Sequence, residues 1–250
     1  ELVAAAQRLL IDSAEFQKIA EGYSSADSGS LRVATTHLHA RYPLLPVISA
    51  FSKKYPKVSL GLFEGPPAEI AERVSNGQAD IGITTGPAEP DPQLVMLPAY
   101  PIGRCLITPP GHPLQKLSRV TLAAIAKYPL IVYDSSFSSG WTVIQAFEKQ
   151  RLSPKIVLSA TNADVIKAYV ASGLGVAILQ SMAHDPKVDT AIRATPVDHL
   201  IAPSTTHIML RSGKYLTRYM FDFIEMFSKK WPAAQVRNAL RRGLRASRTP

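Results

Sequence analysis

The residues best suited to chemistry are uncharged hydroxyls placed where short apolar runs give way to helical periods. Ala34-Thr35-Thr36-His37-Leu38-His39-Ala40 is the first such junction, Thr84-Thr85 after Asp80-Ile81-Gly82-Ile83 the second, Ser135-Ser136-Phe137-Ser138-Ser139 the third and Thr161-Asn162 the fourth. Hydroxyls and backbone N–H groups at a strand-to-helix turn can hold an oxyanion, helped by the positive end of the helix dipole. Each Thr or Ser also has a plainer reading as a helix cap or turn residue. Thr161 with Asp164 three positions on fits a capping box. Each hydrogen bond to a charged acceptor contributes about 1.5–3 kcal/mol, so five or six could hold an anion against the cost of stripping its water. His37 and His39, two apart, do not share a helix face and do not make a paired metal site. His39 reads either as a donor toward the ligand or as a packing residue.

Other chemistries find little support. No Gly-x-Ser-x-Gly elbow is present, and no base or orienting acid is placed for Ser138 or Ser139, so the chain is not expected to be an enzyme. Gly173-Leu174-Gly175 follows a helix and precedes a strand, the reverse of a dinucleotide fingerprint, and reads as a helix C-cap and turn. The single Cys105 excludes an intrachain disulfide and argues against a Cys-based zinc site; neither metal nor cofactor is expected.

The elements that must position these groups alternate. Strands are expected at 31–34, 58–63 and 80–84, with helices at about 40–54, irregular near Pro43 and Pro46, and at 67–75. This β-α-β-α-β order predicts a parallel sheet covered on both faces. Strands at 94–97 and 102–108 flank Pro98-Ala99-Tyr100-Pro101, where the chain is expected to cross to a second lobe. There 130–133, 155–158 and 175–179 alternate with helices to about Arg151 and at 163–172. A strand at 207–211 and an amphipathic helix at 215–229 are expected to return to the first lobe. The fold expectation is α/β, with two Rossmann-like subdomains of periplasmic-binding-protein type around a ligand cleft, preceded by a linker helix. Ligands in such sheets bind beyond the carboxyl ends of the strands.

Residues 1–23 carry a heptad-like seam, Leu2, Leu9 and Phe16, suited to pairing with another helix. The net charge of +9 is concentrated at the end: residues 229–250 hold seven basic residues and no acid, leaving the rest of the chain at +2. That segment reads as a solvated, partly helical tail, or one that touches nucleic acid. No apolar run approaches a membrane span, and the opening Glu-Leu-Val-Ala-Ala-Ala-Gln-Arg lacks the form of a secretory signal, so a cytoplasmic location without membrane contact is expected.

Gly29-Ser30-Leu31-Arg32-Val33-Ala34-Thr35-Thr36-His37, Phe51-x-x-x-Tyr55-Pro56-x-Val58-x-Leu60, Gly77-Gln78-Ala79-Asp80-Ile81-Gly82-Ile83, Pro109-x-Gly111-His112-Pro113-Leu114 and Ser172-Gly173-Leu174-Gly175-Val176-Ala177-Ile178-Leu179 together resemble the effector-binding domain of LysR-type transcriptional regulators over about residues 28–230. Ala40-Arg41-Tyr42, Ala160-Thr161-x-Ala163-Asp164-Val165-Ile166-Lys167 and Tyr219-Met220-x-Asp222-Phe223-Ile224 are similar to the CysB group, regulators of sulfur assimilation, including sulfate and sulfonate use.

The resemblance implies a linker or dimerisation helix and hinge at 1–27, subdomain I at 28–98 plus 206–228, subdomain II at 99–205 and a basic tail at 229–250. It implies a small sulfur-related anion, such as sulfate or adenosine phosphosulfate, or an acetylated serine as effector, and carrying the sulfate-contact pattern across gives Thr36, Thr85 and Ser138; His37, His39 and Thr161, at the same junctions, complete the expected ligand-binding set. Where sulfate-binding members carry Thr and Gln after the His, this chain has Leu38 and His39: Leu38 removes a donor and His39 is its candidate replacement. Self-association as a dimer or tetramer, operator DNA for a full-length protein with a preceding winged helix-turn-helix, and RNA polymerase are the implied partners. The competing reading is a periplasmic anion-binding protein of a transporter, which has the same two lobes.

Overall fold

The computed structural model describes residues 27–85 and 91–246. The expected linker helix and the first part of the proline-rich stretch, 86–90, lie outside the described residues. The chain divides into two compact units, one running to Tyr100 and resuming at Thr206, the other spanning Pro101–Thr205.

In the first unit, strands β1 (Ser28–Thr35), β2 (Lys57–Glu64), β3 (Ile81–Thr84), β4 (Leu94–Ile102) and β10 (Ser204–Arg211) form a sheet of order β2-β1-β3-β10-β4. β1 runs parallel to β2 and β3, whereas β10 is antiparallel to β3. Helices α1 (His37–Arg41), α2 (Leu44–Lys54), α3 (Pro67–Ser75), α7 (Arg218–Phe227) and α8 (Ala233–Ala246) belong to this unit. Phe51 of α2 and Phe223 of α7 meet edge to face at 5.3 Å, fully buried in a core with Leu31, Ile81 and Ile208. Aromatic pairs of this kind add about 0.5–1.5 kcal/mol beyond their area.

The second unit holds β5 (Arg104–Thr108), β6 (Leu130–Tyr133), β7 (Ile156–Ala160), β8 (Val176–Gln180) and β9 (Arg193–Pro196) in the order β7-β6-β8-β5-β9. β6 is parallel to β7 and β8, and β5 is antiparallel to β8 and β9. Helices α4 (Leu122–Ile125), α5 (Ser138–Lys149) and α6 (Ala163–Ala171) flank it, with Phe147 buried against Leu130, Val143 and Val176.

Both sheets are therefore mixed rather than parallel. β10 begins at the edge where β1 and β3 end, and β5 begins at the edge where β6 and β8 end. β4 is one continuous strand despite Pro98 and Pro101, because it lies at the edge of its sheet, where a missing N–H need not break a ladder. The segment expected to be a solvated tail is a helix over 233–246. Val236 and Leu240, four apart, are buried in the first core while Arg237 and Arg241 face outward. No described helix is long and apolar enough to cross a membrane.

Candidate functional site

In the first unit β1 ends at Thr35, whose hydroxyl donates to the carbonyl of Ile83 at 2.8 Å and ties the ends of β1 and β3 together. Thr36 follows as the N-cap of α1, with extended backbone (φ −82°, ψ 154°). Its Oγ1 accepts from the backbone N–H of His39 at 3.4 Å and lies 2.7 Å from His39 Nδ1. His39 Nε2 in turn lies 3.1 Å from Thr206 Oγ1 at the start of β10.

His39 is 1% exposed, and this burial pushes its pKa down to about 3, so the ring is neutral. A neutral imidazole offers one donor and one acceptor. In the tautomer with Nδ1–H, the ring donates to Thr36 and accepts from the Thr206 hydroxyl. Thr36 Oγ1 then has both acceptor positions filled from His39, and its own O–H is the group left to donate.

Thr85 is half-buried just past β3, and the register His207↔Thr84 places Thr206 at the same sheet edge. Thr84 is completely buried with no partner for its hydroxyl. His37 does not share this arrangement, since its Nδ1 lies 3.0 Å from Glu64 Oε2 at the exposed end of β2. The helix expected at about 40–54 starts earlier, at His37, and the irregularity expected near Pro43 is a full break at Tyr42-Pro43, so α1 is a five-residue turn. Its dipole is correspondingly small, and the side chains carry most of the polarity of this edge.

In the second unit the polar loop after β6 is shorter than expected. Asp134 Oδ1 accepts from the backbone N–H and hydroxyl of Ser136 at 2.9 and 2.6 Å, which holds the Asp134 carboxyl below its usual range, and α5 begins at Ser138. Phe137 occupies the N-cap without a side-chain cap, and the first turn of this 12-residue helix carries no acid. Half-buried Ser138 thus sits at an uncapped helix N-terminus. Thr161 is exposed, and the cap assigned to it is made by Asn162, whose side chain accepts from the Asp164 N–H at 2.8 Å.

Two residues of these edges escape sequence reasoning. Thr206 acts through a contact with chain far away in sequence, although the run Ser204-Thr205-Thr206 was a visible hydroxyl cluster. Arg104 begins β5 opposite Gln180, fully buried; its Nη2 donates to Ser204 Oγ at 2.8 Å while Nε and Nη1 have no partner. Burial pulls its pKa down to about 10, which leaves a cation at the edge where β6 and β8 end. Cys105 beside it is buried, with its thiol pushed up to about 12. Among the described residues no cluster of His, Cys, Asp or Glu could hold a metal ion.

Comparison with known proteins gives the family. Residues 24–232 match the LysR substrate binding domain. The chain is 40% identical over 235 residues to the HTH-type transcriptional regulator SsuR of Burkholderia cenocepacia, covering 94% of this chain and 76% of that protein. It is 39% identical over 241 residues to the HTH-type transcriptional regulator CysB of Haemophilus influenzae, covering 96% and 74%. The crystal structure of the cofactor-binding domain of the Cbl transcriptional regulator superposes with a TM-score of 0.80 at 37% identity, over 85% of this chain and 93% of that one. With a LysR domain matched over most of its length and CysB-type regulators as relatives, the chain belongs to the LysR family and to its CysB-like group.

Proposed function

We propose that this chain senses a small sulfur-related oxyanion, sulfate or adenosine phosphosulfate, for a transcription regulator of sulfur assimilation. The observation that carries the reading is the pairing of Thr36 Oγ1 with His39 at the end of β1, which in the Nδ1–H tautomer fills the acceptor positions of the hydroxyl and leaves its O–H to donate to a guest. Thr85 is assigned as the second donor of that edge. On the other unit's edge Ser138, Thr161 and the uncapped start of α5 are the proposed donors. Because His39 is neutral, anion binding at the first edge is by uncharged groups, as suits an oxyanion that must be released as well as held.

In a full-length regulator the effector would act by binding one arrangement of the protein more tightly than another. Self-association, operator DNA and RNA polymerase are the proposed partners of that protein, and CysB-type relatives named as HTH-type transcriptional regulators support this reading.

Calorimetry with sulfate and with adenosine phosphosulfate tests the proposal. Thr36→Val and Thr85→Val are each expected to weaken the bound anion about tenfold or more, the value of one hydrogen bond to a charged acceptor. Unchanged affinity in both variants, or no binding of either anion to the wild-type chain, would overturn it.

A further inference from the structure

A polar pocket lies in the first unit, away from the carboxyl edge of its sheet. Thr217 is the N-cap of α7, yet its side chain makes no capping bond. The first intrahelical bonds, from Met220 and Phe221 N–H, go to its carbonyl at 3.1 and 3.2 Å. Thr217 is 6% exposed and its Oγ1 is buried with no partner. An orphaned buried hydroxyl is costly unless something supplies the missing bond.

Thr217 is among the residues that line a pocket of about 300 Å³ between the start of α7 and α8. A neighbouring pocket of about 300 Å³ shares Tyr215, Leu216, Phe221 and Arg237 with it and extends toward Leu240 and Leu244.

The charges around the first pocket favour an anion. Arg218 and Arg237 line it and are exposed to solvent, and Arg241 lines the second. The Arg237 guanidinium sits over the Phe221 ring, 4.7 Å from its centroid, a stacking that leaves the edges of the guanidinium free for a ligand. The acid among the lining residues, Asp222, is already engaged by Lys54 Nζ at 2.5 Å and the Tyr55 hydroxyl at 2.6 Å. The first turn of α7 carries no acid, and none follows Glu225 in the sequence. Lys214 of the second pocket is buried and paired with Asp80 at 2.9 Å, so it anchors the wall. Leu216, Phe221, Leu240 and Leu244 supply an apolar continuation.

We propose that this pocket binds an amphiphilic organic acid, a carboxylate or sulfonate with a short apolar tail. The anionic head would lie on the Thr217 hydroxyl, the α7 N-terminus and Arg237, with the tail along Phe221 and Leu240. The site shares no residue with the Thr36 edge and does not depend on what binds there.

Calorimetry on the whole chain, with hexanesulfonate, hexanoate and inorganic sulfate as probes, tests it. Hexanesulfonate or hexanoate is expected to bind the wild-type chain and the Thr36→Val variant alike. Arg237→Gln, an exposed change that should leave the fold intact, is expected to weaken that binding about tenfold, and Thr217→Val several-fold. Inorganic sulfate lacks the tail and is expected to bind this pocket at least about tenfold more weakly, since each buried methylene adds about 0.8 kcal/mol. A thermal melt of each variant checks folding, and if Thr217→Val does not fold, Arg237→Gln decides. Absence of binding by both organic probes, loss of it in Thr36→Val, or full retention in Arg237→Gln would overturn the proposal. Sulfate bound at this pocket as tightly as hexanesulfonate would overturn the ligand class.

Discussion

His39 Nδ1 lies 2.7 Å from Thr36 Oγ1 within the turn that Thr36 caps, and the far side of the same ring reaches Thr206, 167 residues away in the chain. The ring thus connects the helix after β1 to the first residues of β10. Replacing it with Phe keeps a flat aromatic ring, somewhat larger, and removes both bonds. In the Nδ1–H tautomer Thr36 would then lose one of the two donors to its oxygen, and its hydroxyl would be free to turn away from a guest. His39→Phe is expected to weaken sulfate binding about tenfold, whereas Thr36→Ser, which preserves the hydroxyl, should change it far less. Calorimetric affinities of the two variants check this.

The same burial makes the fold sensitive to acid. The folded pKa of His39 is lowered to about 3 from an ordinary 6.5, so between those values the unfolded chain binds a proton that the folded chain refuses. Stability from this group is fully present above about pH 6.5 and is lost as pH falls toward 3. From pH 7 to pH 5 the loss is about 2 kcal/mol. His112 is also lowered by burial and adds a loss of the same sign, so the measurement is a difference. Urea unfolding of His39→Gln, which keeps a polar amide but cannot titrate, should show a pH 7 to pH 5 drop smaller by that amount than the wild-type chain.

The alternation of β1, α2, β2, α3 and β3 was readable because each apolar run is short and bounded by Pro or Gly, as at Tyr55-Pro56 and Asn76-Gly77. Strand direction was not readable. Nothing in Ser204–Arg211 says that it enters the sheet antiparallel, and that direction is what brings Thr206 to His39. Pro98 and Pro101 misled because a proline signals a break only in a strand paired on both sides, and β4 is paired on one. At residues 229–250 the count of charges obscured the spacing of Val236, Leu240 and Leu244, which was in plain view as one helical stripe. Thr161 and Asn162 are both good caps, and only the backbone decides which lies at the boundary: the N-cap is Asn162.

Asp80, just ahead of β3, has one carboxylate oxygen 2.9 Å from Lys214 Nζ and the other accepting from the Arg32 N–H at 2.8 Å. Both side chains of the Asp80–Lys214 pair are buried, at 0% and 3% exposed. Removing one partner from such a pair costs about 3–5 kcal/mol because the other charge is left without compensation. Asp80→Asn should therefore destabilise by about that amount in denaturant unfolding. Adding Lys214→Met, which takes away the buried cation and keeps an apolar stem of similar length, should restore part of it, the Arg32–Asp80 pair at 3.6 Å accounting for the remainder.

Gly140 lies in the first turn of α5, where glycine ordinarily costs helix stability and alanine would restore about 1 kcal/mol. Here the sign reverses. A Cβ at this position would fall 2.5 Å from the carbonyl oxygen of Tyr133 and still closer to that of Asp134, both of them backbone atoms that cannot rotate aside. The helix must then lift off the end of β6, carrying Ser138 with it. Gly140→Ala is expected to lose about 1–3 kcal/mol, the usual range for overpacking. Ser138→Ala, by contrast, should leave stability within about 0.5 kcal/mol, as a half-buried position away from the core does. Gly111→Ala separates clash from backbone strain, since Gly111 has φ +76° but nothing within 4 Å of a Cβ, and should cost only the left-handed penalty of about 1–2 kcal/mol. If anion binding depends on where α5 starts, Gly140→Ala and Ser138→Ala should both weaken it while Gly111→Ala does not, a pattern that unfolding curves and calorimetry on the three variants can establish together.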